Sequence, residues 1–234
     1  MNPPAAPAHP DAVLVVFCRR PVPGVGKQRL AATVGREAAH AIAEALFACT
    51  LEDLRGWGGP IVLSPTEPQD AAWAQAQLGA RAQVLPQRAG NLGERIEAVD
   101  RELRGRGAAR LLFIGTDAPA LPAGLFADAA SALERDDVVL APARDGGVTL
   151  MGSRRPWPSL AALPWSTAAL GAALESACRA RGDSIARLAE SSDVDELEDL
   201  DWVCEALAGD PRAARRELWR VADLARCRAA TVRA

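Results

Sequence analysis

Lys27 is the only lysine in a chain of 234 residues; the other 26 of its 27 Lys and Arg side chains are arginine. It stands in R-P-V-P-G-V-G-K-Q-R-L, residues 20–30. Pro23, Gly24 and Gly26 make a turn whose backbone lets a ligand approach closely, and Lys27 and Arg29 fall where a helix would begin. Free N–H groups at such a start favour an anion, so the chemistry that fits is phosphate binding. The competing reading is a solvated basic turn that caps a helix. A P-loop is excluded, because Pro21 stands where its first glycine is needed and Gln28 follows the lysine. A Rossmann fingerprint starting at Gly24 is excluded because Arg29 occupies its third glycine position.

The acidic candidates follow apolar runs. Asp117, in G-T-D-A-P-A-L, can hold a hard cation such as Mg²⁺ against phosphates, or form an Asx turn shaped by Pro119. Asp145, Gly146 and Gly147, in R-D-G-G, place a second carboxylate beside that cation or make a hairpin turn. Asn91 and Gly93, in G-N-L-G-E-R, read equally as a loop for a base or phosphate and as a helix entry. Asp195, in D-V-D-E-L-E-D-L, reads as a helix cap, with Glu198 completing a capping box. Trp165, in P-W-S-T, is a core or rim residue or lines a pocket mouth, and Ser166 reads as an N-cap. His9 and His40 make no pair and no G-x-S-x-G is present, which leaves a histidine base and a hydrolase nucleophile unsupported.

The elements that must position these residues alternate. Ala12–Cys18 is a Val-rich continuous apolar run, as expected of a strand buried on both faces. Helical spacing covers 28–54, broken near Thr33–Gly35, followed by a strand at 60–64, a helix at 69–78 and a weaker strand at 82–86. A glycine turn then leads into a helix, and Arg110–Gly115 (RLLFIG) is the clearest strand. A helix at 124–135, strands at 137–142 and 148–152, the second set antiparallel to a neighbour, and helices at 167–181 and after Asp195 complete the pattern. This alternation predicts one doubly wound, mostly parallel α/β sheet with helices on both faces, whose ligands bind beyond the carboxyl ends of its strands. The expected division is a flexible lead-in at 1–11, the α/β domain at 12–208 and a helical extension at 209–234, rich in Ala and Arg.

Composition bounds the rest. The chain is 49% hydrophobic and 24% charged, ordinary for a globular protein, with a formal net charge of −3. No basic run interleaved with aromatics points to nucleic acid, and no apolar stretch approaches the ~18 residues of a membrane span. Five cysteines without a C-x-x-C pair argue for a reducing, cytoplasmic setting rather than a disulfide framework or zinc ribbon. Oligomeric state is open, a homodimer being one arrangement available to such a chain.

The order of these motifs along the chain is more specific than any one of them. The strand, the R-P-V-P-G-x-x-K-x-R-L turn, G-N-L-G-E-R, G-T-D-A-P-A-L, D-G-G, P-W-S-T and D-V-D-E-L-E-D-L together resemble the DUF2064 group of GT-A-fold, nucleotide-diphospho-sugar-transferase-like proteins. Members are described as glycosyltransferases. The pattern is more distantly similar to phospholactate guanylyltransferases, and the resemblance spans roughly residues 12–200. It implies a transferase dependent on Mg²⁺ or Mn²⁺, with a nucleotide or nucleotide-sugar donor and a small-molecule acceptor. By the same resemblance Lys27 and Arg29 would hold the donor phosphates, and Asp117 would be the main metal ligand. Asp145 would add a second carboxylate within D-G-G, Asn91 and Gly93 would lie near nucleotide or acceptor, and Asp195 would contribute to the metal site. Gln28 stands where Thr is common, Asn91 where Asp is, Val148-Thr149 where an aromatic pair is, and Glu196-Leu197 where Thr-Pro is usual. Nucleotidyl transfer, releasing pyrophosphate, and a silent nucleotide-binding module are the alternative expectations.

Overall fold

The computed structural model describes residues 11–233, with side chains through residue 230. The expected lead-in, and His9 with it, lies outside the described residues apart from Asp11. In chain order the elements are β1 (Ala12–Cys18), α1 (Gln28–Val34), α2 (Arg36–Gly56), β2 (Ile61–Pro65), α3 (Ala71–Leu78), β3 (Gln83–Val84) and α4 (Leu92–Gly105). There follow β4 (Arg110–Ile114), α5 (Leu125–Ala132), β5 (Val138–Pro142), β6 (Val148–Ser153), α6 (Leu170–Ala180), β7 (Ile185–Arg187), α7 (Leu197–Ala206) and α8 (Ala213–Arg233). No helix among the described residues is long and apolar enough to cross a membrane.

The chain forms two compact units, each built from separate stretches of sequence. The sheet unit comprises the described residues to Cys18, then Gly56–Gly115 and Pro122–Ser191. The helical unit comprises Arg19–Arg55, Thr116–Leu121 and the residues from Ser192 onward. This division does not follow the expected 12–208 and 209–234 segments.

In the sheet unit seven strands run in the order β3-β2-β1-β4-β6-β5-β7. All neighbours are parallel except β6, which is antiparallel to β4 and β5. The central strands earn their burial from sequence: Leu14, Val15 and Val16 of β1 and Leu111 and Leu112 of β4 are fully enclosed. Val15, Leu111, Phe113, Leu140, Met151 and Ile96 join one apolar core. Gly152 lies in register with both Leu112 and Val139. A Cβ there would come within 2.5 Å of Leu112 Cδ2 and 2.8 Å of Val139 Cγ1, so only glycine fits between those side chains. β7 carries a single large apolar residue, Ile185, which is why periodicity does not reveal it.

In the helical unit α2 turns Ile42, Leu46 and Cys49 into a second core shared with Leu30 of α1, Val194, and Leu200 and Val203 of α7. Leu218, Ala222 and Ala225 of α8 belong to that same core. The C-terminal helix is therefore built into this unit. Gly35, at φ 86°, separates α1 from α2 where the apolar spacing breaks.

Candidate active site

The helical unit gathers charge from three separate segments. The chain enters the first, Arg19–Lys27, on leaving β1. Val25 N–H donates to the Val22 carbonyl at 3.1 Å, and Gly24 (φ 78°) and Gly26 (φ 74°) take left-handed backbone, with open space around Gly24. Lys27 is left-handed as well, at φ 46° and ψ 40°, where a non-glycine residue is strained. The strain is retained because the side chain is held at its far end.

The Lys27 ammonium meets three acceptors: Asp117 Oδ1 at 3.1 Å, Asp195 Oδ1 at 2.9 Å and the Val194 carbonyl. Two of these are hydrogen bonds, to Asp195 and to the Val194 carbonyl, and the contact with Asp117 is an ion pair. The Lys27 side chain is 10% exposed, against 46% for Asp117 and 40% for Asp195. Burial by itself would lower the Lys27 pKa, but the two carboxylates outweigh it and hold the ammonium above its usual range. Burial likewise raises Asp195, and Lys27 and Arg29 overturn that and hold its carboxyl below the usual range. Arg29 completes the cluster, with Nη2 to Asp195 Oδ2 at 2.8 Å and Nη1 to Glu196 Oε1 at 2.7 Å. Two cations and three carboxylates leave these five side chains at a net charge of −1.

Asp195 is free for this because it does not cap α7. The N-cap is Glu196, and Asp199 Oδ2 accepts the N–H groups of Glu196 and Asp195, both at 2.7 Å. The expected Asp195/Glu198 box is thus displaced by one residue to Glu196/Asp199, since both pairs have the same spacing. The second segment, Thr116–Leu121, is joined to the third where Val194 N–H donates to the Asp117 carbonyl at 3.0 Å. Sequence reasoning missed Glu196, and its place at the Glu-Leu departure from the family pattern is the signal that singles it out.

The other expected site residues belong to the sheet unit and are engaged in local structure there. Asp145 Oδ1 accepts the Gly147 N–H at 2.8 Å, forming the turn of the β5–β6 hairpin. Gly146, at φ 89°, lies so close to the approach to α6 that a Cβ would stand 2.2 Å from the Ala168 carbonyl oxygen. Asn91 caps α4 by accepting from Glu94 N–H at 3.0 Å, while Glu94 accepts from Asn91 N–H at 2.7 Å. Asn91 Nδ2 also donates to the Ala161 carbonyl at 3.0 Å, and Glu97 Oε1 accepts the N–H groups of Leu160 and Ala161. Gly93 has no Cβ because the Leu160 carbonyl oxygen would lie 2.2 Å from it. Trp165 donates to that same Leu160 carbonyl at 2.8 Å and packs against the sheet core. G-N-L-G-E-R is therefore the seat of the 160–165 loop.

Ser166 does not cap a helix. It sits at φ 62°, α6 begins only at Leu170, and Thr167 Oγ1 accepts the Ala169 N–H instead. Among the described residues no three His, Cys, Asp or Glu side chains are grouped to hold a metal ion.

A family profile described as "Uncharacterized protein conserved in bacteria (DUF2064)" matches residues 50–167, just over half of the chain. The chain belongs to the DUF2064 family. In this DUF2064 protein the matched stretch includes Asp117 and D-G-G, while Lys27, Arg29 and Asp195 fall outside it. A Desulfovibrio desulfuricans protein described as a "putative nucleotide-diphospho-sugar transferase" superposes with a TM-score of 0.85 at 23% identity, covering 94% of this chain and 98% of that one. A cytidylyltransferase from Leptospira borgpetersenii has a TM-score of 0.51 at 11% identity, over 92% of this chain and 95% of that one. For 4-diphosphocytidyl-2C-methyl-D-erythritol synthase from Anaerococcus prevotii the TM-score is 0.51 at 10% identity, with coverages of 83% and 96%. No curated protein matches the sequence. The seven-stranded, mostly parallel sheet of this DUF2064 protein is that of the nucleotide-diphospho-sugar transferase fold.

Proposed function

We propose that this DUF2064 protein is a divalent-metal-dependent transferase that takes a nucleotide-activated donor and passes a glycosyl group to a small-molecule acceptor. The observation that carries the reading is the Lys27 ammonium shared between Asp117 and Asp195, with Arg29 bound to the second oxygen of Asp195. At a net charge of −1 the cluster repels phosphate. Adding a divalent cation reverses the sign, and a metal–phosphate pair then becomes a matched ligand.

Mg²⁺ is usually held by one or two carboxylates together with substrate phosphates, and Asp117, 46% exposed, fits that role. Asp195 fits a different one, because Lys27 and Arg29 engage both of its oxygens. Bound there, the metal would supply positive charge to a departing diphosphate. The chain's own residues do the remaining work: Arg29 gives two of its five N–H donors to Asp195 and Glu196 and can turn others to phosphate oxygens, and Lys27 fixes the Asp117 carboxylate in place.

Thermal-shift titration with nucleotides and nucleotide sugars, with and without Mn²⁺, tests the reading, because a ligand that binds the native state raises apparent stability. Metal-dependent stabilisation followed by nucleoside diphosphate release from a nucleotide sugar is the expected result. Pyrophosphate release from a nucleoside triphosphate and a phosphorylated acceptor would instead establish nucleotidyl transfer, for which the same cluster chemistry is suited. Binding that is indifferent to metal would indicate a silent nucleotide-binding module, and absence of binding would overturn the proposal.

A further inference from the structure

Arg215, on α8, is fully buried. Its guanidinium spends four hydrogen bonds inside the helical unit. Nη1 donates to the Cys49 carbonyl at 2.7 Å and to Glu52 Oε2 at 2.9 Å, and Nη2 donates to Asp53 Oδ2 at 2.6 Å. These three tie it to α2. The fourth is of another kind: Nε donates at 3.2 Å to the carbonyl of Pro119, two residues beyond Asp117.

Burying a guanidinium is costly, and a well-packed apolar side chain of similar volume often serves stability as well or better. What an apolar side chain cannot supply is a directed donor. The Thr116–Leu121 loop has no regular structure, and Pro119 has no N–H of its own to offer. Two bonds fix its backbone on either side of Ala118: Val194 N–H on the Asp117 carbonyl, and Arg215 Nε on the Pro119 carbonyl. Because the guanidinium is planar and anchored on α2 by its other two nitrogens, the direction of Nε is set as well.

We propose that Arg215 is a positioning residue for Asp117, holding the 116–121 loop where the Asp117 carboxylate meets the Lys27 ammonium. The C-terminal helix then contributes to the candidate active site without touching a ligand. The effect on ligand binding rests on the transferase reading above; the effect on the loop does not.

The test compares Arg215→Met and Arg215→Lys with Leu218→Ala, a substitution of another fully buried α8 side chain that belongs to the unit's apolar core. Amide hydrogen exchange is followed at Val194, whose N–H is held by the Asp117 carbonyl of that loop, at denaturant concentrations that equalise global stability. Arg215→Met is expected to speed exchange there by about tenfold or more relative to Leu218→Ala, the scale set by losing a hydrogen bond from a charged donor. Arg215→Lys keeps the charge but lacks the fork, so it should show the same local loosening, and it serves alone if the Met variant does not fold. Equal exchange in the Arg215 and Leu218 variants would overturn the inference. A second arm measures Mn²⁺-dependent binding of the best nucleotide, expected to weaken about tenfold in the Arg215 variants only. If the wild type binds no nucleotide, the transferase reading fails while the exchange arm still decides the role of Arg215.

Discussion

Two sets of glycine motifs in this molecule look alike in sequence and differ in structure. In the sheet unit Gly93 and Gly146 are glycines because something fills the space of a side chain: a Cβ at either would lie 2.2 Å from a backbone carbonyl oxygen. In the helical unit Gly24 faces open space and serves for its left-handed φ alone. The first kind closes a loop against the protein's own backbone, and the second leaves a turn free beside a charged cluster. A glycine motif thus marks a candidate ligand site when its neighbourhood is open and charged, and an internal joint when it is filled.

The sharpest way to probe this contrast is at Lys27. Lys27→Ala is expected to lower turnover by about 10²–10³-fold, the usual cost of losing one preorganised charge, measured as kcat on whichever donor the binding screen selects. Because it also leaves Asp117 and Asp195 facing each other without their cation, chemical denaturation should show a loss of about 1.5–3 kcal/mol. Gly93→Ala should act the other way, costing about 1–3 kcal/mol of stability by overpacking, since a backbone carbonyl cannot swing aside. Its effect on nucleotide affinity should be small if the G-N-L-G segment is a joint; a large loss of affinity in a stable Gly93→Ala protein would break the comparison. Gly24→Ala should cost only about 1–2 kcal/mol, through backbone conformation with no clash.

The smallest expected effect is a pH dependence in the sheet unit. Asp137 is held below the usual carboxylate range chiefly by the backbone N–H of Ser184, with Arg154 and Arg155 assisting against the cost of burial. A carboxyl with a depressed native pKa stabilises the fold above its unfolded value near 3.8, and that contribution fades as pH falls through the lower native value. Asp137→Asn should therefore flatten the acid limb of the stability curve below about pH 4 and leave nucleotide binding unchanged.

Much of the fold was legible because the central strands are buried on both faces and so appear as unbroken apolar runs, β1 and β4 above all. β7 was not legible, since an edge strand of three residues with one large apolar side chain leaves no period to read. At the candidate site the turn around Lys27 and the position of Asp117 after a strand could be read directly. The part played by Asp195 could not: D-V-D-E-L-E-D-L offers three acidic pairs with identical spacing, and only the folded backbone chooses Glu196 with Asp199. Arg215 was invisible for a different reason. In a helix as rich in arginine as 213–233, sequence does not say which one turns inward.

The three acceptors around Lys27 Nζ bear on how this protein can vary. Lysine and arginine codons are a single nucleotide apart, and at a solvated position the exchange passes almost unnoticed. A tetrahedral ammonium suits a pocket built from Asp117, Val194 and Asp195; a flat guanidinium, longer and broader, does not. In a saturation library scored for ligand binding, arginine should be an acceptable replacement for lysine wherever lysine is introduced on the exposed surface. At position 27 the two spellings should separate, and the chain's one surviving lysine becomes a basic codon it cannot trade.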